Sequence, residues 1–361
     1  MRSDLAERLL EALMDWDIAR FSTEVARLQM LASLKYDEYG GYTPGVKFAE
    51  NLARWLEQFE MGERDVAYRF VMERLVFVSA IELSHLIDIT YPDRLEQRLT
   101  AIAAGEAGLQ KYQVAAVRRT PEFLTLRRRC LFLGLSDGAR MDQLRRASKL
   151  SHEQFSQDYT AADDQLERMV SELGKALNTQ ELSADASFRQ VFLVDDFAGS
   201  GRTLIRPDDE NPGQWKGKLI RFRDRLTELQ ESRMVSNPCA VGVVLYIASE
   251  QALDHVKESL GAAGLDDWTV DVIQVISKRV RVDVTDPEMS ALCRVYYDPS
   301  TEDAHKKETP IGYDDCALPL VLSHNTPNNS ICLLWAETSE ETGLGRRALF
   351  QRYERHHKDR P

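Results

Sequence analysis

Residues Val191 to Thr203 read VFLVDDFAGSGRT, and this stretch decides the fold. Its first four residues are apolar at successive positions, as in a strand covered on both faces. Two adjacent aspartates, Asp195 and Asp196, come next, followed by a turn that carries Gly199, Ser200, Gly201 and Thr203. A site at the carboxyl end of a strand is where an open α/β sheet binds its ligand. The glycines let successive backbone N–H groups converge on an anion, and Ser200 and Thr203 add hydroxyl donors. The turn from Ala198 through Gly199, Ser200, Gly201 and Arg202 to Thr203 therefore reads as a phosphate cradle. Asp195 and Asp196 can accept hydrogen bonds from the vicinal hydroxyls of a ribose, or hold water on a magnesium ion. One sugar phosphate satisfies the whole stretch. The competing reading is that two acids and a Gly-Ser-Gly turn merely end a strand and cap the next helix. A P-loop is a weaker rival, because GxxxxGK[ST] occurs nowhere in the chain.

Working outward, similar apolar runs recur at LFLGL from 131, AVGVVLYIA from 240, VDVIQVI from 270, LPLVL from 318 and ICLLW from 331. All read as strands. Amphipathic segments such as Met141 to Ala147 and Gln251 to Leu260 lie between them, which predicts a mainly parallel sheet with helices on both faces. Before residue 130 the period is helical. Phe21, Val25, Leu28 and Ala32 mark one helix, and Phe48, Leu52, Trp55, Leu56 and Phe59 mark another that Thr43 and Pro44 are placed to start. A more uniformly apolar helix is expected from about Asp65 to Ile89. The fold class is thus α/β behind an all-helical N-terminal region. Boundaries are expected at 1–125 for the helical region, 126–340 for the α/β domain and 341–361 for a tail, in which His356, His357 and Lys358 form a solvated end. A linker rich in Gly, Pro and Ser is missing, so the two parts are expected to pack together.

Composition bounds the function. With 361 residues, 43% hydrophobic and 29% charged, the chain is globular. It has 46 Lys plus Arg against 58 Asp plus Glu, a net charge of −12, which argues against whole-surface binding to nucleic acid or an anionic membrane. A local basic site stays open, and 34 of the basic residues are Arg, the side chain suited to bidentate phosphate contacts. No run of 18 apolar residues occurs, and the acidic amphipathic start is unlike an export signal, so a cytoplasmic protein is expected. Cys130, Cys239, Cys293, Cys316 and Cys332 have no CxxC spacing and are expected to be reduced core residues rather than zinc ligands.

Three further segments are candidates. LFLGLSDGARMDQLRRAS from Leu131 is a second strand, turn and helix, with Ser136, Asp137, Gly138 and Arg140 in its turn. Arg145 and Arg146 beyond it read as a solvated face. SHEQFSQDYTAADDQLERM from Ser151 is either an ordinary connection or a lid. The loop between LPLVL and ICLLW gathers His324, Asn325, Thr326, Asn328 and Asn329, whose donors and acceptors match a nucleobase edge or build a simple hairpin turn.

Four apolar residues, two acids, three variable residues, Ser or Thr, Gly, any residue and Thr is similar to the phosphoribosyl pyrophosphate (PRPP) loop of type I phosphoribosyltransferases, matched by Asp195, Asp196, Ser200, Gly201 and Thr203. The resemblance implies that the acids bind the ribose hydroxyls and support charge at the anomeric carbon, while the turn holds the 5′-phosphate. It implies that Ser136, Asp137 and Gly138 form the pyrophosphate loop, with Arg140 against the pyrophosphate. Asp195, Asp196 and Arg140 are then the catalytic candidates, with magnesium reached through water or ribose hydroxyls. His324, Asn325 and Asn328 are base-contacting candidates, because the family's hood near the chain ends contacts the base. Over roughly residues 125 to 340, LSDGAR, VDDFAGSGRT and HNTPNN together resemble a divergent branch found in bacterial conflict and antiviral systems, including some retron clusters. That implies a defence effector or accessory protein. Two functions stand side by side: glycosyl transfer on PRPP or a nucleotide, or a sensing module that binds the same ligand without turnover. A protein partner is expected on the N-terminal helices and no membrane; nucleic acid is expected only within a complex, and self-association stays open.

Overall fold

The structure is a computed structural model and describes residues 3–301, 309–339, 341 and 343–352. The expected tail residues His356, His357 and Lys358 lie outside the described residues. By internal contact the chain divides into two compact units, Ser84–Ile276 and Met1–Leu83 with Ser277–Pro361. The boundaries expected from sequence, after 125 and after 340, are drawn elsewhere.

The Ser84–Ile276 unit is built on a five-stranded parallel sheet. Its strands are β2 (Cys130–Gly134), β3 (Phe155–Ser156), β4 (Phe188–Ala198), β7 (Val235–Ser249) and β8 (Thr269–Ile276), in the order β3-β2-β4-β7-β8. Successive apolar residues make β2 and the middle of β4 buried on both faces. On one face Leu131, Leu133, Val191, Leu193, Val243 and Leu245 share a core with Leu173, Phe222 and Val256. These come from the helices Asp163–Thr179, Lys218–Glu231 and Glu250–Ala262. On the other face Phe155, Phe132 and Phe192 stand directly opposite one another across β3, β2 and β4. Their rings stack at centroid distances of 4.7 and 5.1 Å. The helix Glu96–Glu106 lies over this face, where Arg98 bonds Thr269 at 2.6 Å and pairs with Asp271. Helices therefore cover both faces, as expected, and part of the cover comes from residues before 125.

The other unit is mostly helical: Ser3–Met14, Ile18–Leu34, Phe48–Leu56 and Met61–Glu73 carry Leu10, Leu28, Trp55 and Phe70 into one core. Leu334 and Phe350 from the C-terminal segment join them. The Trp55 indole donates to the Leu333 carbonyl at 2.7 Å. Several local expectations are corrected here. The apolar run expected as a single helix from 65 to 89 is a helix to Glu73, the strand β1 (Val76–Val78) and a helix Ala80–Thr90. The cause is distant, since β1 pairs in parallel with β9 (Leu320–Leu322), with Phe77 opposite Val321. ICLLW, expected as a strand, is a buried helical turn Cys332–Trp335, closed by Ala336 N–H on the Cys332 carbonyl at 2.8 Å. The helix at Phe48 is started not by Thr43 but by Asp37, whose carboxylate accepts from Phe48 N–H at 2.9 Å.

The stacked phenylalanines give a test of the sheet. Phe132→Ala removes the middle ring and is expected to cost about 3–5 kcal/mol, read as a lower urea midpoint with an unchanged slope.

Candidate functional site

The order β3-β2-β4 contains a reversal. From β2 the chain moves outward to β3 and then returns to the other side of β2 as β4. The carboxyl ends of β2 and β4 flank this switch point, where neighbouring connections run in opposite directions and open a crevice. The two loops singled out by sequence, 135–140 after β2 and 199–205 after β4, both begin there.

Asp195 and Asp196 are still within β4, so the pleat sends their side chains to opposite faces. Asp195 is 4% exposed and is held from two sides. Lys218, itself 7% exposed, donates Nζ to Oδ2 at 3.0 Å, and the Ser136 hydroxyl donates to Oδ1. Burial, with the Asp196 carboxylate adding to it, pushes Asp195 up to about 6 against the pull of Lys218 and Ser136. Asp196 is half-buried and lies against the first loop. A Cβ on Gly138 would sit 2.3 Å from Asp196 Oδ2, so a side chain there would displace the Asp196 carboxylate from its place against the first loop.

The turn after β4 is braced from below. Gly201 has φ +76°, and a Cβ there would come within 2.9 Å of Val256 and 3.0 Å of the Ala252 carbonyl. The Ser249 hydroxyl donates to the Gly199 carbonyl and accepts from Ala252 N–H at 2.9 Å, and a His255 ring nitrogen lies 2.8 Å from the Ile205 carbonyl. Pressed onto the helix in this way, the turn leaves the N–H groups of Ser200, Gly201 and Thr203 without an acceptor among the described residues. Unmet N–H donors gathered in one tight turn suit an anion. Thr203 is exposed and Ser200 buried, so of the two hydroxyl residues Thr203 stands towards solvent.

The turn does not run straight into a helix, which removes the simple capping reading. A hairpin of β5 (Arg206–Pro207) and β6 (Trp215–Lys216) intervenes, and the helix Lys218–Glu231 follows. The hairpin closes on itself. Lys218 N–H donates to the Thr203 carbonyl at 3.2 Å and Leu219 N–H to the Leu204 carbonyl at 2.9 Å. Gly217, at φ +130°, packs where a Cβ would stand 2.4 Å from the Leu204 carbonyl.

In the first loop, Ser136 precedes a 3-10 turn over Asp137–Ala139 whose end is fixed by the Tyr246 hydroxyl on the Ala139 carbonyl at 2.9 Å. Arg140 takes a left-handed conformation, φ 47° and ψ 48°, to turn the chain into the helix Met141–Ser148. Its guanidinium has no hydrogen-bond partner among the described residues, and it lines a polar cavity of about 480 Å³ with Ser84, Asp88, Asp142, Gln143 and Arg146. Arg146 is spent on Asp142, as a solvated face would have it. The segment considered as a lid is tied down: Ser151 and Gln154 cap each other, and Tyr159 N–H donates to the Gly134 carbonyl at 3.0 Å.

Ser136, Asp137, Gly138, Arg140, Asp195, Asp196 and Ala198 to Thr203 therefore all belong to one unit, at or just beyond the carboxyl ends of β2 and β4, while the cavity that Arg140 lines is bounded by the helices Ala80–Thr90 and Met141–Ser148. His324, Asn325 and Asn328 belong to the other unit, in a loop between β9 and a helical turn rather than between two strands. Thr326 there is fully buried, bonded to Tyr39 and to the Phe350 carbonyl, which is a packing role. Sequence reasoning missed Lys218, Ser249 and Tyr246. Only the GK pair opening KLIRF hints at the first, since a lysine ahead of Leu219 and Ile220 starts a helix on its apolar side.

The raised Asp195 has a measurable consequence. The folded chain holds this proton more tightly than the unfolded one, so the associated stability is complete below the ordinary aspartate range and is lost as pH rises through about 6. Between pH 7 and pH 5 the wild type is expected to gain roughly 1 kcal/mol from this group. Urea midpoints at the two pH values measure it, and Asp195→Asn is expected to remove that increment.

No curated protein and no solved structure matches the chain. The PRTase-CE family model does, over residues 52–352, a span that contains both loops, the parallel sheet and the HNTPNN segment. The match covers well over half of the chain, so the chain is a phosphoribosyltransferase-like protein and belongs to the PRTase-CE family.

Proposed function

We propose that the Ser84–Ile276 unit binds PRPP, or a nucleotide of the same sugar phosphate, and carries out phosphoribosyl transfer or related N-glycosidic chemistry. The observation that carries this reading is the turn of unmet N–H groups at Ser200, Gly201 and Thr203, set beside an acid pair at the sheet's switch point. The turn anchors the 5′-phosphate. Asp196, facing the crevice against Gly138, accepts from a ribose hydroxyl, and the unpartnered Arg140 attracts the diphosphate. Breaking the bond at the anomeric carbon develops positive charge, which nearby carboxylates stabilise without an activated nucleophile. Magnesium belongs to this reading as the ion that PRPP carries on its diphosphate, and the acids reach it through ribose hydroxyls or water.

A second reading, ligand sensing without turnover, is favoured by one specific fact: much of the acceptor capacity of Asp195 is already engaged by Lys218 and Ser136. The resemblance to conflict-system proteins supports the biological setting we propose, an effector or accessory protein of bacterial antiviral defence. In that setting the protein acts in the cytoplasm with a protein partner on the N-terminal helices. Among the described residues no helix is long and apolar enough to cross a membrane.

Calorimetric titration of PRPP with magnesium into the wild type and into Asp195→Asn/Asp196→Asn tests the site. The double variant is expected to stay folded by circular dichroism and to lose at least about 100-fold in affinity, a few kcal/mol; unchanged affinity would overturn the assignment. Pyrophosphate release with a panel of bases then separates the two readings, since the sensor binds and releases nothing.

A further inference from the structure

Two carboxylates side by side at the end of a strand carry two negative charges, and proteins commonly offset such pairs with a divalent cation. Here the space beside Asp195 is filled by protein instead. Lys218 Nζ lies 3.0 Å from Oδ2 and the Ser136 hydroxyl occupies Oδ1, both inside a nearly closed environment. Asp196 points to the opposite face of the strand, against Gly138. Among the described residues no three His, Cys, Asp or Glu side chains gather into a metal nest, at this position or elsewhere. The lysine is also rigidly delivered. It is the first residue of its helix, and the two hydrogen bonds from Lys218 and Leu219 to Thr203 and Leu204 lock that helix start to the phosphate turn.

We propose that Lys218 is the resident counter-cation of Asp195, standing where a divalent metal would otherwise meet that buried carboxylate directly. The protein then holds no metal of its own at this position. A metal enters the crevice only as part of a ligand, and the lysine keeps Asp195 fixed whether or not that ligand is present. This role of Lys218 stands apart from the assignment of PRPP, because it is tested with the metal alone and no sugar phosphate.

The probe is Mn²⁺, titrated at pH 7.5 and followed by electron paramagnetic resonance, with melting curves on the same samples. Wild type is expected to bind Mn²⁺ no more tightly than about 1 mM, with no change in Asp195→Asn. Lys218→Met leaves an uncompensated buried carboxylate and is expected to lower Tm by roughly 10 °C. It is expected to gain a Mn²⁺ site at least 10-fold tighter than anything in the wild type and to recover stability when the ion is added. Lys218→Met/Asp195→Asn, lacking both charges, is expected to melt near the wild type and to bind no Mn²⁺. If Lys218→Met alone does not fold, the double variant decides: recovery supports charge compensation, and failure shows that the lysine acts by packing and overturns the proposal. A wild-type Mn²⁺ site that Asp195→Asn abolishes, or a Lys218→Met chain with unchanged Tm and no new site, overturns it as well.

Discussion

An aspartate at the buried end of a central strand sets the terms for everything around it. β4 has neighbours on both sides and a packed layer on both faces, so the Asp195 carboxylate has no water to turn to. Leaving such a charge alone costs several kcal/mol. The chain meets the requirement with one hydroxyl, one ammonium group and the Asp196 N–H at 3.2 Å, and the first two impose geometry on distant segments. Ser136 has to come from the loop after β2, which ties that loop to the carboxyl end of β4. Lys218 has to come from a helix whose start is bonded to the turn after β4, Lys218 N–H donating to the Thr203 carbonyl. The hairpin of residues 206–216 must therefore leave and return at one point, and Gly217 accepts a conformation that side chains rarely take.

The pleat of the strand then divides the labour between the two acids. Because adjacent residues face opposite ways, Asp195 turns toward the layer that holds the Lys218 helix, and Asp196 turns toward Gly138. One carboxylate stiffens the crevice and the other lines it. The motif VDDFAGSGRT looks symmetrical in its acids when read as a string, and the sheet makes them unequal.

What sequence could show follows from the range of the forces involved. Strand texture in β2, β4, β7 and β8 is local, and so is the link between glycine and a tight turn, which is why the family, the sheet and the two loops were legible from LFLGLSDGAR and VFLVDDFAGSGRT. The misreadings were non-local. LVFVSA looked like the continuation of a helix because its strand partner, 320–322, lies some 240 residues away. ICLLW has strand composition but closes a helical turn inside a core to which Trp55 contributes. Lys218 stayed hidden for the same reason. Nothing in KGKLIRF announces that this lysine, unlike the exposed Lys257 or Lys149, is withheld from water to balance a charge 23 positions earlier.

A crevice organised in this way is prepared before any ligand arrives. The carboxylate of Asp195 is fixed by Ser136, Lys218 and the Asp196 N–H, the turn is braced by Ser249 and by its contact with the helix Glu250–Ala262, and the 135–140 loop is pinned by Tyr246. Among the described residues the N–H groups of Ser200, Gly201 and Thr203 and the Arg140 guanidinium are left without internal partners, and both suit anions. The ordering entropy of the binding groups has thus largely been met during folding. Donors held in place in this way favour a ligand whose negative charges already match their positions.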